Sequence, residues 1–322
     1  MIARLAILFS LLVVFIGIPA LMALLCRLMM PRRWWKWGSC ACTLFIWGTI
    51  AYGVFIGFEE LEVRQVEYVS SELPLAFDGY RIVQFSDAHV GTFKNSRKWM
   101  MKRAVDVMNA QQADAIVFTG DLQNLHPEEL EQHIPVLSCL HAHDGVFSIL
   151  GNHDYSIYVD VDSVTREQYN MKTQQLFRQT GWTLLMNEHR VIRRGADSIV
   201  IAGMENWGSK LRMPRRGDVG KTLEGVNDST FVVMLSHDPT AWREKILPEC
   251  RAQLTLSGHT HGGQFSLFGW SPVAWSYDEW EGTTYEGERA LHVSTGLGGL
   301  IPFRLGMPAE IVVITLRSKK VK

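Results

Sequence analysis

The chain has 322 residues, 47% of them hydrophobic, and its 32 Lys+Arg nearly balance its 33 Asp+Glu. That balance excludes a polycationic nucleic-acid binder, whose phosphate contacts need clustered Lys and Arg. The average hides a division: residues 1–58 hold no Asp or Glu and five basic residues, so residues 59–322 carry 27 basic against 33 acidic residues, a net charge of −6.

The first elements in chain order are apolar. Residues 5–25 and 38–58 are uncharged runs of 21 residues each, and a helix of roughly 20 residues crosses a hydrocarbon core. A cleaved signal peptide is the alternative for the first run, with Ala20 and Ala23 near its end. Its length and the second run soon after argue for retention. Arg27, Arg32, Arg33 and Lys36, with Trp34, Trp35 and Trp37, lie between the runs. The positive-inside rule makes that link cytoplasmic. The expectation is a multi-pass protein of the inner or plasma membrane. Residues 1–58 form a two-helix anchor, and a domain over 59–322 faces outward.

Within the domain, Arg81–Phe85, Ala115–Phe118, 146–150, Phe231–Leu235 and 252–256 read as short apolar strands. Helical patterns separate them: 96–109 with Ser96 as N-cap, 127–141 opened by Pro127 and an acidic first turn, Ser163–Gln179, and 240–247. Strand–helix alternation followed by a strand-rich end predicts a mixed α/β domain of two facing sheets with helices outside. No internal repeat is present. The domain's two cysteines, Cys139 and Cys250, are too few for a disulfide framework.

Each strand run ends in a polar cluster. In order these are Asp87-Ala88-His89, Gly120-Asp121, Gly151-Asn152-His153-Asp154, His237, and Gly258-His259-Thr260-His261. Loops beyond the carboxyl ends of strands are where such folds gather ligands, so five loops can carry Asp, Asn and His to one point. Hard oxygens plus imidazoles, without thiolate, suit Mn, Fe, Zn or Mg. Taken singly, each cluster is an ordinary turn. The ordered set of five points to a two-metal phosphoesterase.

Written as D-x-H, G-D-x-x-D/N, G-N-H-D/E, H and G-H-x-H over residues 81–316, the series resembles the calcineurin-like metallophosphoesterase superfamily. The run Gly258-His259-Thr260-His261-Gly262-Gly263-Gln264 and the tail Ser294-Thr295-Gly296-Leu297-Gly298 with Pro308-Ala309-Glu310-Ile311 look like a bacterial membrane-anchored subgroup. That subgroup acts on lipid and cell-envelope phosphates. The resemblance implies a four-layer α/β/β/α sandwich and two divalent ions. One ion would be held by Asp87, His89, Asp121 and His261, the other by Asp121, Asn152, His237 and His259, with Asp121 bridging. Such a pair acidifies water and clamps phosphoryl oxygens during in-line attack.

In an extended segment His153 points away from Asn152, so it is expected to face the substrate and to stabilise the transition state or protonate the leaving oxygen. Asn124 stands where the family pattern often has an Asp that orients this histidine. Asn124 and Asp154 are expected to support the site from behind. Loss of that carboxylate weakens an imidazolium at His153, which favours a leaving group that departs easily, such as a phosphoanhydride. The absence of an Asp-Arg-Gly continuation after 120–124, and of Tyr at 124, disfavours serine/threonine protein phosphatases and purple acid phosphatases.

Two further stretches remain open. Phe265, Phe268, Trp270, Trp275, Tyr277 and Trp280 read as core packing, an edge strand, or a lipid-facing wall beside the ions. The basic run 210–216 reads as a solvated loop. The expected activity is hydrolysis of a phosphodiester or pyrophosphate bond in a phosphate-containing substrate, with a lipid or envelope molecule as the leading class and no nucleic-acid partner. A broad phosphomonoesterase is the alternative enzyme. A non-catalytic membrane scaffold is disfavoured by the intact ligand set.

Overall fold

A computed structural model describes residues 13–211 and 213–319. The first eight residues of the first apolar run, the basic flank at Arg4, and Arg212 of the basic run lie outside the described residues. The chain divides into two compact units, Met1–Phe58 and Glu59–Lys322.

In the first unit a π-helical turn over Val13–Gly17 leads into a helix over Ile18–Met29, with Pro19 in its first turn where no backbone donor is needed. A second helix spans Trp35–Phe55. The two touch through Ser39 Oγ, 3.5 Å from the Ala23 carbonyl, and the Cys26 and Cys42 sulfurs, 4.0 Å apart. Among the described residues one helix, extending over Trp35–Glu59, is long and apolar enough to cross a membrane, while Phe15–Met29 is shorter. The expected second span therefore starts earlier than residue 38. Trp35, Lys36 and Trp37 belong to its first turn rather than to the link.

The second unit is a mixed α/β domain with two six-stranded sheets. The first takes the order β1 (Leu61–Ser70), β12 (Ala309–Ser318), β2 (Arg81–Phe85), β3 (Ala115–Phe118), β4 (Val146–Ser148), β5 (Thr183–Leu184). Strands β2 to β5 run parallel, and β12 is antiparallel to β2. The second sheet is ordered β10 (Gly282–Glu286), β11 (Arg289–Val293), β9 (Leu254–Ser257), β8 (Phe231–Leu235), β7 (Asp197–Gly203), β6 (Glu188–Arg194). Its four central strands are parallel.

Parallel strands buried on both faces read as unbroken apolar runs, and side chains alternate between faces. Ile199 and Ile201 accordingly face Ile82, Val117, Phe147 and Ile314 in the core between the sheets. Val200 and Ala202 turn the other way, onto Trp242 and Ile246. Phe118 of the first sheet stacks outward on Phe177 of the helix Ser163–Gln179.

The helices differ from the sequence reading in three places. The segment 127–141 forms two one-turn helices, Glu128–Glu131 and Ile134–Leu137, because Pro135 cannot supply the N–H that a continuous helix needs. Ser96 lies in a 3₁₀ turn, and the helix Lys98–Ala110 starts without a side-chain cap. A π-helical turn over Trp242–Ile246 continues into Leu247–Glu249. Strand β4 stops at Ser148, short of residue 150, and β9 starts two residues after 252.

Candidate metal centre

The parallel strands of both sheets deliver their carboxyl ends to one edge, where the loops must reverse within two or three residues. The backbone does so through left-handed conformations: Asp87, His89, Asp121, His259 and His261 have φ between 40° and 73°. Each such conformation costs a non-glycine residue about 1–3 kcal/mol and persists only where the surroundings over-determine it. Two glycines make room for the reversal. Gly120 has φ 100°, and a Cβ there would lie 2.7 Å from His237 Nδ1; a Cβ at Gly258 would collide with Ser86 and Asp87.

The seven expected ligands converge. Atoms of Asp87, His89 and His261 lie within 4.8 Å of one another, as do those of Asp121, His237 and His259. His89 Nε2 is 3.2 Å from His261 Nε2, which is 3.5 Å from Asp87 Oδ1. His237 Nε2 sits 3.1 Å from Asp121 Oδ2, 3.0 Å from Asn152 Oδ1 and 3.3 Å from His259 Nδ1. Asp121 Oδ2 also lies 3.7 Å from His89 Nε2, so one carboxylate oxygen faces both groups. Its other oxygen accepts the His153 backbone N–H at 2.8 Å.

Hydrogen bonding decides which atoms these groups offer. His89 Nδ1 approaches the Gln123 carbonyl at 3.1 Å, and His237 Nδ1 the Thr119 carbonyl at 2.7 Å. A carbonyl only accepts, so each Nδ1 carries a proton and, in the neutral ring, each Nε2 presents a lone pair. With the His237 ring neutral, the lone pairs of His237 Nε2, Asn152 Oδ1 and Asp121 Oδ2 meet, and no other side chain donates to them. Asp87 Oδ1, 3.5 Å from His261 Nε2, is buried without a hydrogen-bond partner. Converging acceptors of this kind fit divalent cations.

Without cations, a proton on His237 Nε2 fills the place of positive charge, bonding Asp121 Oδ2 at 3.1 Å. Burial alone would lower His237, yet the neighbouring Asp121 carboxylate overrides it and holds the imidazole at about 10. His89, buried with a weaker claim on that carboxylate, falls to about 3. Burial raises Asp87 to about 6. For Asp121, burial is outweighed by its histidine neighbours, and its pKa lies well below the ordinary value.

The supporting residues act differently from expectation at one position. Asp154 is fully buried and accepts backbone N–H groups from Gly151, Asp121, Leu122 and Gln123 at 2.8–3.2 Å, fastening the β3 loop to the β4 loop. His153 Nδ1 is 2.6 Å from the Asn124 backbone carbonyl, while the Asn124 side-chain oxygen is buried and unpaired. The main chain, not the side chain at 124, therefore orients this histidine. Nor is the segment extended: Asn152 is helical (φ −65°, ψ −32°) at the start of a 3₁₀ turn. His153 still borders a cleft of about 280 Å³ that Asp121, Asn152, His259 and Leu300 also line.

Several contributors carry no motif signal. Gln123 donates to the His153 carbonyl and Ser156 Oγ and accepts from Thr173, tying the loop to the long helix. Arg304 is fully buried and bonds the carbonyls of Thr295, Gly296, Gly298, Met307 and Pro308. The segment it gathers donates backbone N–H groups to the Ser86 and Asp87 carbonyls at 2.8 Å. Tyr158 and Tyr277 also line the cleft.

The aromatic stretch is not core. Phe268 is 99% exposed and Trp275 81%, with Trp270 meeting Trp275 edge to face. Gln264 Nε2 bonds the carbonyls of Ile301 and Phe303, holding the exposed Leu300 and Ile301 beside this stretch. Cys139 and Cys250 are both free.

Comparison with known proteins matches residues 80–263 to the calcineurin-like phosphoesterase family. The chain belongs to this family. It is 30% identical over 279 residues to an uncharacterized metallophosphoesterase of Bacillus subtilis, YkuE, covering 84% of this chain and 91% of that protein. A transmembrane protein with metallophosphoesterase domain from Danio rerio is 30% identical over 275 residues, 83% of this chain and 60% of that protein. The UDP-2,3-diacylglucosamine pyrophosphatase LpxG of Chlamydia trachomatis is 25% identical over 331 residues, 86% of this chain and 96% of that protein. This calcineurin-like phosphoesterase is a metal-dependent phosphoester hydrolase whose clustered Asp and His side chains suit the family's metal chemistry.

Proposed function

We propose that the chain is a membrane-anchored hydrolase of a phosphodiester or pyrophosphate bond in a lipid or cell-envelope substrate, with two divalent cations bound at the two ligand clusters. The observation that carries this reading is the convergence of ligand atoms from Asp87, His89, Asp121, Asn152, His237, His259 and His261, where a proton on His237 holds the place of positive charge. Asp87, His89, Asp121 and His261 hold one cation, and Asp121, Asn152, His237 and His259 the other. When bound, the pair supplies Lewis acidity and lowers the pKa of water.

The chain's own residues do the rest. Asp121 presents one oxygen to both clusters and spends the other on the His153 backbone. His153, held by the Asn124 carbonyl, has its Nε2 free to hold a proton near the leaving oxygen. Its lack of a carboxylate partner favours an anhydride or a similarly good leaving group.

The lipid class rests on the pyrophosphatase relative, on the exposed Leu300 lining the cleft, and on the exposed Phe268, Trp270 and Trp275 in the segment between the cleft-lining Gln264 and Tyr277. Residues 1–58 form the anchor and 59–322 the catalytic domain. The basic link between the apolar runs supports an extracytoplasmic domain.

Assay of the purified protein with bis-p-nitrophenyl phosphate and p-nitrophenyl phosphate in Mn²⁺ tests the reaction class. Preference for the diester is expected, and inactivity on both would remove the enzymatic reading. Protease added to intact spheroplasts should clip the domain; cleavage only after lysis would reverse the orientation.

A further inference from the structure

Two ligands of one cluster share an arrangement that the other ligands lack. Asn152 must present Oδ1 to the cluster, and its amide could flip to present Nδ2 instead. Its Nδ2 donates to Tyr158 Oη at 2.9 Å, which fixes Oδ1 on His237 Nε2. His259 must likewise present a bare Nδ1, which lies 3.3 Å from His237 Nε2. An imidazole with a bare Nδ1 carries its proton on Nε2, and that atom is 2.8 Å from Tyr277 Oη. The buried, unpaired Asp238 Oδ2, 3.7 Å from the same nitrogen, adds to the preference for a proton there.

The tyrosines are themselves held in place. Lys210 Nζ lies 3.6 Å from the centre of the Tyr277 ring, and the Tyr158 ring packs 4.4 Å from that of His153. His89 and His237 reach the same end through backbone carbonyls, which no substitution removes.

We propose that Tyr158 and Tyr277 are positioning residues that fix the amide orientation of Asn152 and the tautomer of His259, and so build the second cation site. Partners behind a ligand usually change metal affinity 10–100-fold when removed. The inference rests on the two-cation reading above, and one titration separates the two.

Chelator-stripped wild type, Tyr158→Phe and Tyr277→Phe would be titrated with Mn²⁺ by calorimetry, with melting of the metal-free proteins as a folding control. Wild type should take up two ions. Each variant should keep one site at wild-type affinity, weaken the other about 10–100-fold, and melt like wild type without metal. The Mn²⁺ concentration for half-maximal activity should rise in parallel. Two ions of unchanged affinity in both variants would overturn this inference alone, and so would equal weakening of both sites. A wild-type protein that binds no Mn²⁺ would overturn the two-cation reading and the inference with it.

Discussion

The two ligand clusters are built to different rules. Asp87, His89 and His261 are 0–6% exposed and packed beneath a segment stitched by Arg304, and His89 is aimed by a main-chain carbonyl. Asn152 and His259, which line the same cleft as His261, instead depend on two phenol hydroxyls for their orientation. Main-chain carbonyls aim His89 in the first cluster and His237 in the second. Side chains outside the motifs orient only Asn152 and His259, which leaves the second cluster open to tuning.

Asp121 is the one carboxylate facing both clusters, and its loss should break the contrast entirely. Asp121→Ala should lower kcat/KM on bis-p-nitrophenyl phosphate by at least about a thousandfold and leave fewer than two Mn²⁺ per chain by elemental analysis. Near-normal turnover would remove the shared carboxylate from the account.

An imidazole buried away from both clusters provides the control for burial. His292 has no carboxylate beside it; burial lowers it from 6.5 to about 4, with Arg64 adding to the effect. Its folded pKa lies below its unfolded value, so the unfolded chain binds the extra proton. The stability it contributes is present above about pH 6.5 and is lost as pH falls to about 4, amounting to about 3 kcal/mol. His292→Asn should flatten that part of the stability–pH curve, measured by urea unfolding in chelator. Unchanged slopes in the variant would mean that His292 titrates normally and that burial has been overestimated as the cause.

Chelation sharpens the contrast kinetically. Ions should leave in two phases, the faster from the cluster held by the two phenols, and Tyr277→Phe should accelerate only that phase. A single phase would mean that both ions leave by a common opening. The smallest effect concerns the rim: Phe268→Ala should reduce the gain in kcat/KM with acyl length, set by about 0.8 kcal/mol per buried methylene. Equal efficiency on short and long chains in wild type would separate the rim from substrate binding.

The legible part of this molecule was the part with a period or a spacing. Arg81–Phe85, Ala115–Phe118 and Phe231–Leu235 appear as strands at their expected bounds, because buried parallel strands are written as apolar runs. The clusters after them are legible because each must follow a strand immediately. The helix over 127–141 failed because Pro135 counts for more than the acidic start. His153 was misread as extended because nothing local announces a 3₁₀ turn at Asn152. Tyr158 and Tyr277 were illegible for a deeper reason. Their partners are six and eighteen residues away in sequence, and only the fold decides that the hydroxyls arrive behind ligand atoms.

Arg304 has a consequence for how this protein tolerates genetic change. Its guanidinium satisfies five carbonyls of one segment, a task that the three donors of a lysine cannot match. In a saturation mutagenesis screen, position 304 should therefore be as intolerant as the ligands, though it lies in no motif and touches no substrate. Inherited loss of activity can arise there through a codon that sequence signatures pass over.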